Sequence, residues 1–256
     1  MKMSGNTILI TGGGSGIGAA LAHRFHDQGN TVIIAGRRME ALQKTIGTRQ
    51  NMHALTVDMG DAASIAAFAK TLLEAFPAVN VLINNAGIMR LEVLDQHRDL
   101  GDAEAQITTN LLGPIRLIDA LIEHLTATPD AAIVNMSSGL GFVPLVASPT
   151  YSATKAAVHT YTVALREALR GKTEVIEVVP PAVQTGLTPG QETRPGYLPL
   201  KDFIDEVMSL FQQQPTPEEI LVQRVGFLRN AEAEQRFGQT LATLNATVNE
   251  ARASQS

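Results

Sequence analysis

Between residues 7 and 25 the chain passes from Thr7-Ile-Leu-Ile-Thr11, a short apolar run of strand character, through Gly12-Gly-Gly-Ser-Gly-Ile-Gly18 into the amphipathic Ala19-Ala-Leu-Ala-His-Arg-Phe25. Strand, glycine-rich turn and helix in that order are what phosphate binding requires. Glycines at 12, 16 and 18 let the backbone approach a pyrophosphate, and the free N–H groups and positive dipole end of the helix face the anion. The plainer reading is a flexible turn, but a merely flexible turn would need neither the strand before it nor the helix after it. The spacing is Gly-x-x-x-Gly-x-Gly, distinct from the Gly-x-Gly-x-x-Gly of other dinucleotide folds.

The alternation then continues. A strand over Thr31 to Ala35 is followed by a helix from Met39 to Thr48, a strand from His53 to Val57 and a helix from Ala62 to Phe76 with Ile65, Phe68, Leu72 and Phe76 at near-helical spacing. A further strand covers Val81 to Asn84. Strands separated by helical patterns predict an α/β fold, a doubly wound parallel sheet with helices on both faces. Ligands of such sheets sit at the carboxyl ends of the strands, where Asp58 and Asn84-Asn-Ala-Gly87 fall, although Asn, Asp and Gly are also ordinary turn residues. The second strand ends in Gly36-Arg37-Arg38. An acid at that position binds a free ribose 2′-OH; here glycine and two arginines stand instead, which suits a 2′-phosphate held by charge-assisted bonds and predicts NADP(H) over NAD(H). Arginines at a solvated helix start are the bland alternative.

A long helix is predicted from about Asp102 to Thr126. Pro114 has no N–H, so the carbonyl of Asn110 loses its helical partner and the helix should kink there, either to serve the site through a water or simply to bend around the core. A strand from Ala132 to Ser137 delivers Ser138, and the next helix opens with Tyr151-Ser-Ala-Thr-Lys155. Four residues apart on a helix, Tyr151 and Lys155 reach one point in space. A lysine ammonium near a phenol favours the phenolate, so the pair suits proton transfer to or from a substrate oxygen, with Ser138 as a second hydrogen-bond donor. A strand from Glu174 to Val179 precedes a Pro- and Gly-rich segment to Pro199, the signature of a mobile lid or binding loop. Lys201 to Gln214, Pro217 to Asn230 and Ala231 to about Asn249 read as helices, and Ala251 to Ser256 as a frayed tail.

Composition sets the exclusions. The chain has 256 residues, 45% hydrophobic and 18% charged, enough for one large α/β domain over 1–256, with no internal repeat or linker and a substrate-loop and helical part at about 180–250. It has no apolar run of membrane-spanning length, and no signal core precedes Thr7, so a cytoplasmic location is expected. A net charge of -5 and no cysteine argue against a nucleic-acid surface, a disulfide framework or a thiolate nucleophile. The histidines are scattered; His23 and His26 share a helix face with no third ligand, so no metal is expected.

Together, Thr11-Gly-x-x-x-Gly-x-Gly18, Asp58, Asn84-Asn-Ala-Gly87, Asn110, Ser138 and Tyr151-x-x-x-Lys155 resemble the single-domain short-chain dehydrogenases/reductases over residues 1 to about 190. The resemblance implies a Rossmann-type fold and hydride transfer between a nicotinamide and a carbonyl or alcohol carbon. It makes Tyr151 the acid/base, gives Lys155 the tasks of lowering the tyrosine pKa and holding the nicotinamide ribose, has Ser138 orient the substrate oxygen, and has the Asn110 carbonyl hold a relay water. The expected cofactor contacts are Gly12, Gly14, Ser15, Gly16, Ile17, Gly18, Arg37, Arg38, Asp58, Met59, Asn85, Ala86, Gly87, Tyr151, Lys155, Pro181, Val183 and Thr185. Two departures stand out: Pro181 occupies a position usually glycine, and the C-terminus lacks the final strand and Gly-Gly ending common in the family, reading as a helical extension. Its sequence looks like the branch named for the teichoic-acid D-alanylation genes.

The leading expectation is an NADPH-dependent carbonyl reductase or alcohol dehydrogenase acting on a ketone or aldehyde, or the corresponding alcohol. The alternative is a non-catalytic NADP(H)-binding sensor on the same fold, which has no need of a proton-donating phenol. Sugar epimerase or dehydratase chemistry usually comes with a larger C-terminal part. Met89, Leu140, Phe142, Val143, Leu187 and Tyr197 are the expected pocket walls, favouring a hydrophobic substrate; Arg90, if it faces in, suggests a carboxylate instead. A homodimer through the two long helices, or a tetramer missing one of the interfaces usual in the family, is expected, with Ala157, Thr160, Ala164 and Ala168 as a small-residue stripe.

Overall fold

The computed structural model describes the backbone of residues 1–253 and the side chains of residues 1–246. Seven strands form one sheet: β1 Thr7–Thr11, β2 Thr31–Gly36, β3 Met52–Thr56, β4 Val81–Asn84, β5 Ala132–Met136, β6 Glu174–Val178 and β7 Glu219–Ile220. They are all parallel in the order β3-β2-β1-β4-β5-β6-β7. Because both faces are covered, the strands are largely apolar, and their alternation serves to share side chains between two cores. Ile8, Ile10, Val32 and Ile34 pack against Leu21 and Phe25 of α1 (Gly16–Asp27), Leu42 of α2 (Met39–Ile46) and Phe203 and Phe211 of a later helix, Leu200–Phe211. Leu9, Ile33, Leu82 and Ile133 face the other way, onto Ile65, Phe68 and Leu72 of α3 (Ala62–Ala75) and Leu117, Leu121 and Leu125 further on.

The helix expected from Asp102 to Thr126 is divided into α4 (Gly101–Ile107), one turn of π-helix over Thr108–Leu112, and α5 (Gly113–Ala127). The proline accounts for this: with no N–H at Pro114, the ladder is resumed by Gly113, whose N–H reaches back five residues to the Thr108 carbonyl. The expected kink is thus a local widening at Asn110. The second long helix, α6, spans Pro149–Ala168 and buries Tyr151, Thr154, Lys155, Val158 and Thr162 toward the sheet.

The C-terminal third departs most from the sequence reading. α7 is the helix Leu200–Phe211 already mentioned. The stretch Pro217 to Asn230, read as a helix, instead supplies β7, a 3-10 turn over Gln223–Val225 and the short α8 (Gly226–Arg229). A final strand is therefore present, two residues long and paired with β6 through Glu177–Glu219 and Val178–Ile220. Too short to show a period of two, it is set by its neighbour and not by local pattern. Residues 231–235 form turns, and the last helix, α9, runs over Phe237–Ala253. The tail expected to fray from Ala251 is helical to Ala253; residues 254–256 lie outside the described part. α9 is fastened to the segment between Ser138 and Tyr151: the buried Asn245 side chain accepts from Val146 N–H at 2.7 Å and donates to Pro144 C=O at 3.1 Å. Val143, Leu228 and Ala231 form a small core there, with Leu140, Leu241 and Leu244 packed on it. No helix among the described residues is long and apolar enough to cross a membrane.

Candidate active site

The strand order reverses between β1 and β4, and a cleft of about 390 Å³ opens across the carboxyl ends on both sides of that point. Of the expected cofactor residues, Gly12, Ser15, Gly16, Ile17, Arg37, Arg38, Asp58, Met59, Asn85, Ala86, Gly87, Tyr151, Lys155, Pro181, Val183 and Thr185 line it, and so does Ser138. Gly14, Gly18 and Asn110 do not.

Their places explain why. A Cβ on Gly14 would meet Ala41 and Leu42, so it is a packing position against α2. Gly18 lies under the turn: a Cβ there would stand 2.4 Å from the Gly12 carbonyl oxygen, so no other residue lets the helix start pass beneath the loop. Gly12 itself has φ +69 and sits against Ala86 and Asn85. The loop is stitched to the turn after β4. Thr11 Oγ1 accepts from the N–H groups of Asn85 and Ala86, both at 3.1 Å, and the Asn85 amide donates to Thr11 C=O at 2.9 Å. At the start of α1 the Ser15 side chain makes no capping bond, and Gly16 and Ile17 of the first turn border the cleft.

Arg37 and Arg38 are exposed at the start of α2 and form no ion pair among the described residues. Asp58 lines the cleft while its carboxylate accepts from Gly60 N–H at 2.8 Å, so its turn role and its cleft position coexist.

Tyr151 and Lys155 are buried on one face of α6, with the lysine Nζ 5.6 Å from the tyrosine ring centroid. Lys155 donates to the Met136 carbonyl at 2.8 Å, and Ser138 closes β5 beside them. Burial dominates both titrations. It pushes the Tyr151 phenol up to about 12, which a side-chain hydrogen bond from Ser138 partly counteracts. It brings the Lys155 ammonium down to about 8, against the attraction of the buried Glu177 carboxylate. The causes of the phenol's shift are burial and the Ser138 bond, and Lys155 is not among them. One consequence concerns stability. Between about pH 8 and the ordinary lysine value the native chain has released a proton that the unfolded chain still holds, so Lys155 should make ΔG of unfolding rise with pH across that window. Urea unfolding at stepped pH should show this rise in the parent protein and its loss in Lys155→Met.

Asn110 works from behind. Its side chain accepts from Ile88 N–H and donates to Ile88 C=O, both at 2.8 Å, and donates to Thr154 Oγ1 at 3.3 Å. It thereby ties the π-turn to the end of β4 and to α6, between Tyr151 and Lys155.

The wall expectation needs correction. Only Leu187 of the six apolar candidates lines the cleft. Val143 is in the small core under α9, Phe142 packs against His159 and the Arg229 guanidinium, and Tyr197 lies under Arg194. Arg90 does line the cleft. Sequence reasoning missed Gln191, which is buried and holds Val183 C=O at 2.8 Å, fastening the Pro-Gly-rich segment at the cleft edge; a lone glutamine among turn residues gives no signal. It also missed a charge cluster, since Glu177 and Glu219 meet through the β6–β7 pairing and His159 reaches them from α6. His159 Nδ1 lies 2.8 Å from Glu177 and 3.8 Å from Glu219, while Arg229 forks onto Glu219 and already neutralises it. His23 and His26 contact the backbone carbonyls of Thr45 and Gln50.

A parallel sheet with its strand order reversed at a glycine-loop cleft, and a Ser-Tyr-Lys set on the far side of it, defines a nucleotide-binding oxidoreductase fold. Residues 6–195 match the family model described as short chain dehydrogenase, and the chain belongs to that family. It is 38% identical over 235 residues to the uncharacterized oxidoreductase DltE of Bacillus subtilis, covering 90% of this chain and 93% of that protein. Sulfoacetaldehyde reductase 2 of Chromohalobacter salexigens is 36% identical over 71% of this chain and 74% of its own length. Among solved structures, a short-chain dehydrogenase of Sphingobium yanoikuyae in complex with NADPH superimposes with a TM-score of 0.77 at 26% identity, over 90% of this chain and 94% of that one.

Proposed function

We propose that this oxidoreductase is an NADP(H)-dependent carbonyl reductase with Tyr151 as acid/base. The observation that carries the reading is the convergence of Ser138, Tyr151 and Lys155 on the same cleft that the glycine loop and Arg37 open. The site fits the cofactor: Gly12, Ser15, Gly16 and Ile17 of the glycine loop border the cleft, and the first turn of α1 has no side-chain cap to occupy its free amides. The loop Gly12–Gly18 would hold the pyrophosphate and Arg37 and Arg38 a 2′-phosphate. Asp58, Met59 and Ala86 would border the adenosine, and Lys155, Pro181, Val183 and Thr185 the nicotinamide side. When bound, the nicotinamide supplies or accepts the hydride. Tyr151 gives its proton to the carbonyl oxygen during reduction, Ser138 donates a second bond to that oxygen, and Lys155 stabilises the phenolate left behind. Asn110 keeps Ile88 and α6 in register. The NADPH complex of the Sphingobium relative and the reductase activity named for the Chromohalobacter relative support this assignment. NADPH oxidation against a panel of aldehydes, ketones and keto acids tests it, and absence of turnover with all of them overturns it.

The same reading includes a homodimer through α4, α5 and α6. Thr160, Ala164 and Ala168 lie exposed on α6, on the side away from the sheet, with exposed Val163 among them and exposed Ile107 and Leu112 on the α4–π-turn stretch. Light scattering at micromolar protein is expected to give a dimer; a monomer refutes the interface.

A further inference from the structure

Four cations line the cleft, Arg37, Arg38, Lys155 and Arg90, against one carboxylate, Asp58. The first three have roles in the reading above; Arg90 has none. Its setting is unusually well built for a surface arginine. The backbone N–H of Arg90 donates to Gln106 Oε1 at 3.0 Å and its carbonyl accepts from Ser148 Oγ at 2.6 Å, and both of those side chains are fully buried. Two residues on, Glu92 is a buried carboxylate whose side chain is 1% exposed. It accepts from Gln106, from the Thr150 hydroxyl and N–H, and from Arg98. The Glu92 N–H is tied to the Ala147 carbonyl at 2.9 Å. Charge-assisted and buried bonds of this number are costly to assemble, and they fix the backbone on both sides of one residue.

What they fix is a guanidinium that stays 48% exposed at the cleft. Its Nε lies 3.5 Å from Asp102 Oδ1, on the solvent side, and Nη1 makes only a 3.5 Å contact with the Met89 carbonyl. The outer edge of the fork is therefore free of any tight partner. The rim segment that carries it joins the turn after β4 to the residue before Tyr151, through Ser148 and Thr150. An arginine placed this way recognises a planar or tetrahedral oxyanion.

We infer that Arg90 is a specificity-determining residue that binds the anionic end of the substrate, so that the reductase proposed above acts on small carbonyl compounds carrying a carboxylate or sulfonate. This rests on the carbonyl-reductase reading and narrows its substrate class. Asp102 holds the guanidinium when no anion competes for it.

Matched aldehydes test the assignment: succinic semialdehyde against butanal, and glyoxylate against acetaldehyde, each with NADPH. The parent protein is expected to show a higher kcat/KM for the anionic member of at least one pair. In Arg90→Met the anionic-to-neutral ratio should fall about tenfold to hundredfold, mainly through KM for the anion, and Arg90→Lys should restore part of it. Should Arg90→Met not give folded protein, Asp102→Asn reads the same group, with an expected fall in KM for the anion of about twofold to fivefold. Equal use of neutral and anionic aldehydes by the parent protein, a ratio unchanged in Arg90→Met, or a KM unmoved by Asp102→Asn would each overturn the inference while leaving the reductase standing. No turnover of any aldehyde overturns the reductase reading and the inference with it.

Discussion

Tyr151→Phe is expected to lower kcat by about 10²- to 10⁴-fold while NADPH binding stays nearly unchanged. The substitution keeps the ring, which is 7% exposed and packed on α6, so no cavity opens and the helix that carries Lys155 keeps its face to the sheet. What is lost is the phenol's proton: burial pushes that group up to about 12, and the bond from Ser138 works in the other direction. The remaining groups can still bind and orient a carbonyl, which is why a residual rate is expected and the effect is on kcat and kcat/KM together. Single-turnover NADPH oxidation, paired with NADPH titration by fluorescence, checks both halves. An activity above about one part in thirty of the parent enzyme lies well short of what general acid catalysis contributes, and would remove Tyr151 from that role.

The fold was readable because each strand and helix in the first 180 residues announces itself by period and punctuation. The glycines at 12 and 18 were legible as a turn, yet their separate tasks were not, since one borders the cleft and the other lies beneath it. Pro114 gave away a break in the ladder at Asn110, but proline chemistry alone does not choose between a kink and a π-turn; Gly113 reaching back to Thr108 decides it. β7 was illegible because two residues carry no period and its existence depends on β6 already being in place. The apolar wall failed for a related reason. Leu140, Phe142 and Val143 follow Ser138 closely, so proximity in sequence suggested the pocket, whereas Leu140 and Val143 join α8 and α9 in a core of their own, with α9 held by Asn245, and Phe142 turns to His159 and Arg229. The residues that fix the site from a distance, Gln106, Glu92 and Gln191, are single polar side chains in unremarkable stretches. Their meaning comes from burial and partners, which only the folded chain supplies.

Arg37→Asp is expected to reduce the preference for NADPH over NADH by about tenfold to hundredfold, with Arg38→Ala giving a smaller effect in the same direction. Both guanidinium groups lie exposed at the cleft just past β2, with no ion pair among the described residues to satisfy them. Gly36, where an acid would hold a ribose hydroxyl, is half-buried and lines the same wall, so nothing there favours the unphosphorylated ribose. The aspartate both removes a bidentate partner for a phosphate and places a carboxylate where the 2′-phosphate would lie, while offering an acceptor to a free ribose hydroxyl. The change should therefore appear as weaker NADPH and stronger NADH binding, and not as a uniform loss. Salt provides an internal control: because the two arginines are exposed, NADPH binding by the parent protein should weaken with added salt more than NADH binding does, and the difference should shrink in Arg37→Asp. Titrating both cofactors into both proteins at two ionic strengths measures all of this, and an unchanged NADPH-to-NADH ratio in Arg37→Asp removes the 2′-phosphate role from Arg37.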